Sequence, residues 1–399
     1  MSRNEYRVFS EGNIAGLTLK NRLVRSATSE AAMTGDGKIT DGMFSLYKNL
    51  AEGGVGMIIT GFMAVMPEGK MSPKQACIWD DGYIAEIARI GDVVHGSGND
   101  CKILAQLVHA GRQKRLDLEY VGPSAVPSAL LKKNVRALSA SEVRSVIKSF
   151  SEAIVRVKKA GFDGAQLHGA HGYLLSSFLS PYTNRRTDHF GSSIKNRVNI
   201  IREIVSLARE TVGDFPVLIK MNCDDFLEGG INIDTFPELA MEVENSGVDA
   251  IEISGGMWDC LTRSEEELGF FPLPIPESRT RINTRDKQSY FLAYAERLNL
   301  TIPVILVGGN KNVEHLEEII LQGKVEFFSL CRPLICEPDL PNRWLEGKGS
   351  ATCKCLSCNL CLLTLREGPV HCLVKAKNLK HKGVQVMTPY LWKPFSVSM

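Results

Sequence analysis

The 399-residue sequence lacks the segments that carry a chain into or across a membrane. Its start, Met1 to Tyr6, has no apolar run of the kind found in signal peptides, and no later apolar stretch is long enough to span a bilayer. A strong net charge is also missing, because the formal value is only +2, which disfavours binding to nucleic acid or to an anionic membrane. We therefore expect a cytoplasmic globular protein whose partners are small molecules.

Internal repeats and low-complexity segments are absent too, apart from a recurring strand–helix unit. Eight short apolar runs are predicted strands: 22–28, 56–65, 102–109, 164–170, 216–222, 250–256, 303–309 and 327–333. Amphipathic helices are predicted between most of them: one from the capping box Ser139-x-x-Glu142 to Gly161, and others near 196–211, 235–246, 286–298 and 312–322. The alternation predicts an α/β fold, a (β/α)8 TIM barrel. An open doubly wound sheet is the alternative, since strand number alone does not close a sheet.

Three long excursions interrupt the pattern, and each follows a predicted strand end: 66–80, 110–138 and 257–285. Connections after the strands of a TIM barrel lie at its C-terminal mouth, where the active sites of such barrels are built. We therefore expect the excursions to surround a site. The barrel is predicted to span residues 1–348, followed by a Cys-rich C-terminal tail at 349–399.

The fourth predicted strand ends in a polar group of residues, His168-x-x-His171-x-Tyr173. Two neutral imidazoles can each direct an N–H at one carbonyl oxygen and stabilise negative charge that grows there. A nearby phenol can supply a proton. A polar lining without chemistry and a metal site are the alternatives, although zinc would need at least a third ligand and none is evident nearby.

A phosphate site is predicted where strands seven and eight end. Gly308 and Gly309 close strand seven, and Cys331 and Arg332 close strand eight. TIM barrels often bind phosphate with these two loops, because glycine lets backbone N–H groups approach and a guanidinium adds a charged clamp. A tight turn without a ligand is the alternative for the glycines. Lys220, at the end of the apolar strand five, is a cation in the same mouth.

Five stretches form an ordered set of motifs: Asn21 to Ser29, Val65 to Gly69, Gln106 to Arg112, Gly122 to Pro127 and His168 to Arg197. With strands seven and eight, they cover about residues 8–345. In the order and spacing of these stretches, the sequence resembles the Old Yellow Enzyme family, and more narrowly the branch that includes 2,4-dienoyl-CoA reductase and related NADH:flavin oxidoreductases.

The resemblance implies a flavin-dependent ene-reductase with FMN bound non-covalently at the barrel mouth and NADH or NADPH as electron donor. The implied FMN-binding residues are Ala27, Thr28, Ser29, Gly61, Gln106, Lys220, Gly308, Gly309, Cys331 and Arg332. The resemblance also implies that His168 and His171 hold the electron-withdrawing group of an enone or enoate, and that Tyr173 protonates the activated C=C bond. The oligomeric state is left open, and a homo-oligomer is one alternative because barrels of this kind often associate.

Five cysteines crowd into the tail, which in a cytosolic chain suggests metal rather than disulfides. Cys355-x-x-Cys358-x-x-Cys361 with Cys372 has plausible spacing for a 4Fe–4S cluster, and Cys353 adds a fifth thiol. In the dienoyl-CoA reductase branch, such cysteines hold a 4Fe–4S cluster, although the branch has one more residue before its third and before its fourth cysteine. A structural zinc and a metal-free segment are the other two interpretations.

Two competing functions belong to other classes. A flavin-free lyase or aldolase could use Lys220 as a Schiff base, although Ser29, Gln106 and Arg332 argue against it. A redox relay could use the cysteine tail with the barrel as scaffold. The branch also carries a second module for FAD and NADPH, but no Gly-x-Gly-x-x-Gly follows a strand after 345. We therefore expect electrons to reach FMN directly from NADH or NADPH.

Overall fold

A closed barrel of eight parallel strands forms the centre of the computed structural model, which describes residues 2–34, 38–366 and 368–377. The strands are β1 Leu23–Arg25, β2 Met57–Ile59, β3 Lys102–Val108, β4 Gly164–Gly169, β5 Val217–Asn222, β6 Ile251–Ser254, β7 Val304–Leu306 and β8 Phe327–Leu330. Each strand pairs with the next, and β8 pairs with β1, which closes the sheet. The predicted TIM barrel and its eight strands are confirmed, and the doubly wound alternative is wrong.

Helices on the outside of the barrel follow most of the strands. They are α1 Asp41–Glu52, α2 Ile84–His95, α3 Ala140–Lys159, α4 Ile194–Val212, α5 Phe236–Glu244, α6 Leu292–Ala295 and α7 Val313–Leu321. Shorter helices are Leu174–Leu179, Glu265–Leu268, Arg332–Cys336, Leu340–Leu345, Cys361–Thr364 and Leu373–Ala376. The predicted capping box is present, because Ser139 accepts from the Glu142 backbone N–H at the start of α3. From there α3 buries Val143, Ile147 and Phe150 at helical spacing.

The helix predicted near 286–298 is wrong in extent, because only Leu292–Ala295 is helical. The segment before it is held by the turn after β7. Ser289 adopts a φ of +48°, and the Tyr290 backbone N–H donates to the Gly308 carbonyl at 3.1 Å. A Cβ on Gly308 would lie 2.7 Å from the Tyr290 ring, so the ring packs directly on the glycine. This tertiary contact overrides the helical pattern of the sequence.

One end of the barrel is plugged by a β-hairpin made of Gly12–Ile14 and Leu17–Leu19. Ile14 and Leu19 have no solvent exposure and join a buried cluster with strand residues such as Met57, Leu104 and Phe327. These strand residues lie at or near the strand starts, so the hairpin covers the N-terminal end. The mouth at the opposite end is left for polar residues.

Polar side chains enter the barrel in register on neighbouring strands. His168 on β4 is paired with Lys220 on β5, and Lys220 is paired with Glu252 on β6. Gln106 on β3 is likewise paired with Gln166 on β4. Register partners in a sheet point to the same face, so the barrel brings these side chains together although they are far apart in sequence.

Two of the mouth excursions are joined by a buried ion pair. Arg112 Nη1 lies 2.6 Å from Asp259 Oδ2, and the two side chains are 1% and 0% exposed. The other oxygen, Asp259 Oδ1, accepts from Ser128 Oγ at 3.1 Å and from the Leu130 backbone N–H at 3.3 Å. The carboxylate therefore fixes the excursion 257–285 to the excursion 110–138.

The chain after the barrel packs back on it over residues 349–366 and 368–377. The Cys353 backbone N–H donates to the Lys311 carbonyl at 2.8 Å, and the Val370 backbone N–H donates to the Glu30 carbonyl at 3.0 Å. The division into a barrel at 1–348 and a tail at 349–399 stays a prediction, and residues 378–399 of that tail lie outside the described residues. Within the described chain, every helix is too short or too polar to cross a bilayer.

Asp259→Asn is expected to lower the free energy of unfolding by about 3–5 kcal/mol, because it leaves the Arg112 guanidinium buried without its counter-charge. Urea denaturation followed by circular dichroism measures the loss. The matched control is Asp234→Asn, which breaks an exposed ion pair with Arg297 and is expected to leave the midpoint unchanged. Equal destabilisation by both variants would contradict a special role for the buried pair.

Candidate active site at the barrel mouth

A buried ion pair lies beneath the mouth, between β5 and β6. Lys220 Nζ lies 3.2 Å from Glu252 Oε1 and donates to Ser26 Oγ at 2.8 Å, while Ser26 Oγ donates to the same Glu252 oxygen at 2.8 Å. Gln166 Nε2 donates to Glu252 Oε2 at 2.8 Å, and its own carbonyl oxygen accepts from Gln106 Nε2 at 2.7 Å. One hydrogen-bonded chain thus crosses the barrel from β3 to β6.

Burial alone would raise the pKa of Glu252, but the Lys220 charge and the hydrogen bonds from Gln166 and Ser26 lower it below its usual value. The carboxylate is therefore ionised, and it is ion-paired with Lys220. A Schiff base needs a free amine, so this pairing does not favour the lyase or aldolase interpretation. Lys220 lies at the mouth as predicted, but the sequence did not reveal its partner Glu252.

His168, His171 and Tyr173 converge above this network. The ring centroids of His168 and His171 are 5.1 Å apart with planes at 89°, and Tyr173 lies 4.7 Å from His168. His171 adopts a φ of +62°, and its backbone N–H donates to Asn222 Oδ1 at 3.0 Å, which fixes the turn after β4. The three side chains that the sequence singled out therefore do meet in space.

The protonation states of these three groups follow from their burial. Burial lowers the pKa of His168 and of His171 well below the usual value, and the Lys220 charge lowers both further. Both imidazoles are therefore neutral near pH 7, and each keeps one N–H donor. Burial raises the pKa of Tyr173, so its phenol keeps its proton. The arrangement can stabilise an oxyanion and deliver a proton.

Aromatic rings pack beside His168 and Tyr173. Phe62, in the loop after β2, has its ring centroid 5.7 Å from Tyr173 and 6.1 Å from His168. Trp258, at the start of the excursion 257–285, lies 6.0 Å from Tyr173. These contacts place the two loops against the site and give it apolar walls, which strengthen every electrostatic interaction inside it.

A carboxyl group that the sequence did not single out also faces this site. Glu277 Oε1 lies 3.9 Å from His171 Nδ1, whereas His171 Nε2 lies 2.7 Å from Ser254 Oγ. Glu277 Oε2 is buried and has no hydrogen-bond partner among the described residues. Burial raises the pKa of Glu277 to about 7. Glu277 is one of four glutamates in the excursion 257–285, and nothing in the sequence set it apart from the others.

The segment after β1 offers a partly exposed edge to the mouth. Ala27, Thr28 and Ser29 are each half-buried, and Thr28 Oγ1 lies 3.1 Å from Cys331 Sγ after β8. Glu30, which follows this segment directly, contacts Gly61; the sequence analysis missed this residue. The Gly61 backbone N–H donates to Glu30 Oε1 at 2.7 Å, and a Cβ at Gly61 would lie 1.9 Å from Glu30 Oε2.

The predicted phosphate residues lie at the ends of β7 and β8. Gly308 and Gly309 have φ values of +109° and +76°, in the left-handed region that favours glycine. Arg332 is buried, and its Nη1 donates to Asn359 Oδ1 at 2.7 Å. The Cys331 carbonyl accepts from Arg25 Nη1 at 2.8 Å. Backbone freedom and a guanidinium are therefore both present, as a phosphate clamp requires.

A cavity of about 550 Å³ separates the tail from the end of β8, and five cysteines line it: Cys336, Cys355, Cys358, Cys361 and Cys372. Arg332 also lines this cavity, so the cavity adjoins the candidate phosphate site. In residues 2–34, 38–366 and 368–377, no three His, Cys, Asp or Glu side chains are arranged to ligate a metal ion. Metal ligation by the cysteines therefore stays a prediction. Cys336 was missed because it lies outside the cysteine-rich tail.

The model of the NADH:flavin oxidoreductase / NADH oxidase family matches residues 8–349. The chain belongs to this family. It is 35% identical over 359 residues to an NADH oxidase from Thermoanaerobacter brockii, a match covering 88% of this chain and 53% of that protein. It is also 34% identical over 338 residues to an NADPH dehydrogenase from Halalkalibacterium halodurans, covering 84% of this chain and 93% of that protein. The chain thus spans about half the length of the first relative.

Among solved structures, an Old Yellow Enzyme homologue from Zymomonas mobilis matches with a TM-score of 0.70 at 22% identity, covering 86% of this chain and 94% of that one. At this identity, the match speaks to the fold. The family match and the shared barrel together confirm the resemblance to the Old Yellow Enzyme family that the sequence motifs indicated.

Glu277 is expected to make the binding of anionic ligands depend on pH. It is protonated below about pH 7 and charged above, so a carboxylate beside His171 should bind more weakly as pH rises. From about pH 6 to about pH 8, we expect the dissociation constant of cinnamate to rise on the order of tenfold. Isothermal titration calorimetry measures it. The pKa values of Tyr173, Cys260 and Tyr290 are raised, so these neighbours keep their protons over that range. Lys220 is held in its ion pair with Glu252.

Two controls isolate the carboxyl group. Cinnamamide has the same shape without the charge, and its affinity is expected to stay constant over the same pH range. Glu277→Gln keeps the size of the side chain and is expected to flatten the cinnamate profile. A cinnamate profile that keeps its slope in Glu277→Gln would assign the titration to another group.

Proposed function

We propose that this chain is an FMN-dependent NAD(P)H oxidoreductase that reduces the activated C=C bond of an enone or enoate. The observation that carries the proposal is the pair of neutral histidines beside a protonated Tyr173, above the Lys220–Glu252 ion pair. Family membership supports the flavin and the nicotinamide donor. The substrate class and the residue roles rest on the chemistry of the side chains.

The residues at the mouth fit FMN from its ring to its phosphate. The half-buried edge from Ala27 to Ser29 would face the flavin ring, and Lys220 would stabilise the negative charge that a reduced ring carries. The backbone N–H groups of Gly308 and Gly309 and the backbone at Cys331 would approach the phosphate, with Arg332 as its charged partner. When bound, FMN would supply the chemistry of hydride transfer between NADH or NADPH and the substrate. Gln106, whose side-chain amide is held by its hydrogen bond to Gln166, would contact the ring with that amide.

His168 and His171 would bind the carbonyl oxygen of the substrate through neutral N–H groups. A neutral donor is suited to this task, because it strengthens its hydrogen bond as the oxygen gains charge and gives up no proton. Tyr173 lies 4.7 Å from His168, ring to ring, and would donate its phenolic proton to the α-carbon. Phe62 and Trp258 would keep water from this proton transfer.

Anaerobic titration of the purified yellow protein tests this proposal. NADPH is expected to bleach the flavin absorbance, and cyclohexenone is expected to restore it. In Tyr173→Phe, bleaching by NADPH is expected to be unchanged, whereas reoxidation by cyclohexenone should slow by about 10²-fold or more, because only the second half-reaction needs the proton. Stopped-flow absorbance measures both rates.

Three outcomes would contradict the proposal or part of it. A colourless pure protein would revive the flavin-free class with Lys220. A reduced flavin that no enone or enoate reoxidises would remove the ene-reductase activity. Equal slowing of both half-reactions in Tyr173→Phe would remove the proton-donor role while leaving the flavin chemistry in place.

We also propose that Cys355, Cys358, Cys361 and Cys372 hold a 4Fe–4S cluster. Support comes from the cavity of about 550 Å³ that these four thiols line together with Cys336. A 4Fe–4S cubane is held by four thiolates, one to each iron, so its ligands need not converge on a single ion. About four irons and four acid-labile sulfides per chain are expected after anaerobic purification. Bound zinc, or no metal at all, would instead support the other two interpretations of the tail.

A further inference from the structure

Asn359 connects the cysteine tail to the phosphate end of the barrel mouth. It lies between Cys358 and Cys361, and its side chain is buried. Its Oδ1 accepts from Arg332 Nη1 at 2.7 Å and from Ser278 Oγ at 3.0 Å. Its Nδ2 donates to the Ser278 carbonyl at 2.6 Å. One amide thus contacts both the β8 arginine and the excursion 257–285.

The hydrogen bonds determine which way this amide points. Nδ2 is committed to the Ser278 carbonyl, which accepts only, so Oδ1 must face the Arg332 guanidinium, which donates only. An arginine side chain has many rotamers, and an isolated guanidinium would lose entropy when it is fixed for a ligand. The Asn359 oxygen fixes one Nη in advance and leaves the other guanidinium N–H groups for another acceptor.

We infer that Asn359 is a positioning residue that directs Arg332 toward the FMN phosphate, so that the cysteine tail contributes to the affinity for FMN. The inference rests on the proposed function, in which Arg332 holds that phosphate. A neutral amide is suited to this position, because it orients the guanidinium without cancelling the positive charge that the phosphate needs.

The backbone at this position narrows the choice of variants. Asn359 adopts a φ of +62°, in the left-handed region that glycine, asparagine and aspartate tolerate best. Asn359→Gly therefore removes the amide without backbone strain. Asn359→Asp keeps the shape and the acceptor that faces Arg332. It loses the donor to the Ser278 carbonyl, and it places a carboxylate against Arg332 where it competes with the phosphate.

The affinities for FMN and riboflavin separate a role toward the phosphate from a general structural role, because riboflavin lacks only the phosphate. We expect Asn359→Gly to weaken FMN binding about tenfold and Asn359→Asp to weaken it more, with riboflavin binding unchanged in both. Titration of the apoprotein, followed by quenching of flavin fluorescence, measures the dissociation constants of FMN and riboflavin for each variant and for the wild type. Leu362→Ala is the matched control, since it alters the same tail segment without touching Arg332.

Each alternative outcome identifies what is wrong. If the wild type binds FMN no more tightly than riboflavin, the phosphate clamp of the proposed function fails, and the role of Asn359 fails with it. If the wild type prefers FMN and Asn359→Gly keeps that preference, only the role of Asn359 is wrong. Equal loss of both flavins, or an equal loss of preference in Leu362→Ala, would show general damage to the tail and would also overturn the inference.

Discussion

The carboxylate of Glu252 has no solvent exposure, and the arrangement of the barrel mouth depends on its neutralisation. An unpaired charge at such a place would cost several kcal/mol. Lys220 supplies the counter-charge from the neighbouring strand, while Ser26 and Gln166 satisfy the remaining acceptor sites. Because the four residues come from different parts of the barrel, all of these contacts are present only in the folded barrel. The ammonium is thereby fixed under the site.

The charge of Lys220 also acts on the two histidines beside it. Its positive charge disfavours protonation of His168 and His171, which burial already makes costly. Glu277 acts in the opposite direction on the phenol of Tyr173, whose pKa it raises further beyond the effect of burial. Neutral donors and a protonated phenol thus coexist in a narrow space. This combination is consistent with reduction of a polarised double bond, where an oxyanion forms and a proton is consumed.

The sequence predicted the parts of this architecture that are local. Each barrel strand is a short apolar run, and His168, His171 and Tyr173 share one strand end, so both were found without tertiary information. Contacts that depend on register were missed: β5 and β6 follow one another in the chain, but the contact of Lys220 with Glu252 depends on which of their residues lie opposite each other. The helix predicted near 286–298 failed for the same kind of reason, since packing on the β7 turn outweighed a helical pattern.

Buried polar side chains hold the excursion 257–285 near both of its ends. Asp259 ties its start to Arg112, and the amide of Asn359 ties Ser278 near its end. Glu277 directly precedes Ser278, so the position of its carboxyl beside the histidines depends on the tail as well as on the barrel. The barrel by itself fixes only the side chains at the ends of its strands. Here, side chains from the excursions and the tail also contact the residues at the mouth, since Asn359 of the tail contacts both Arg332 and Ser278.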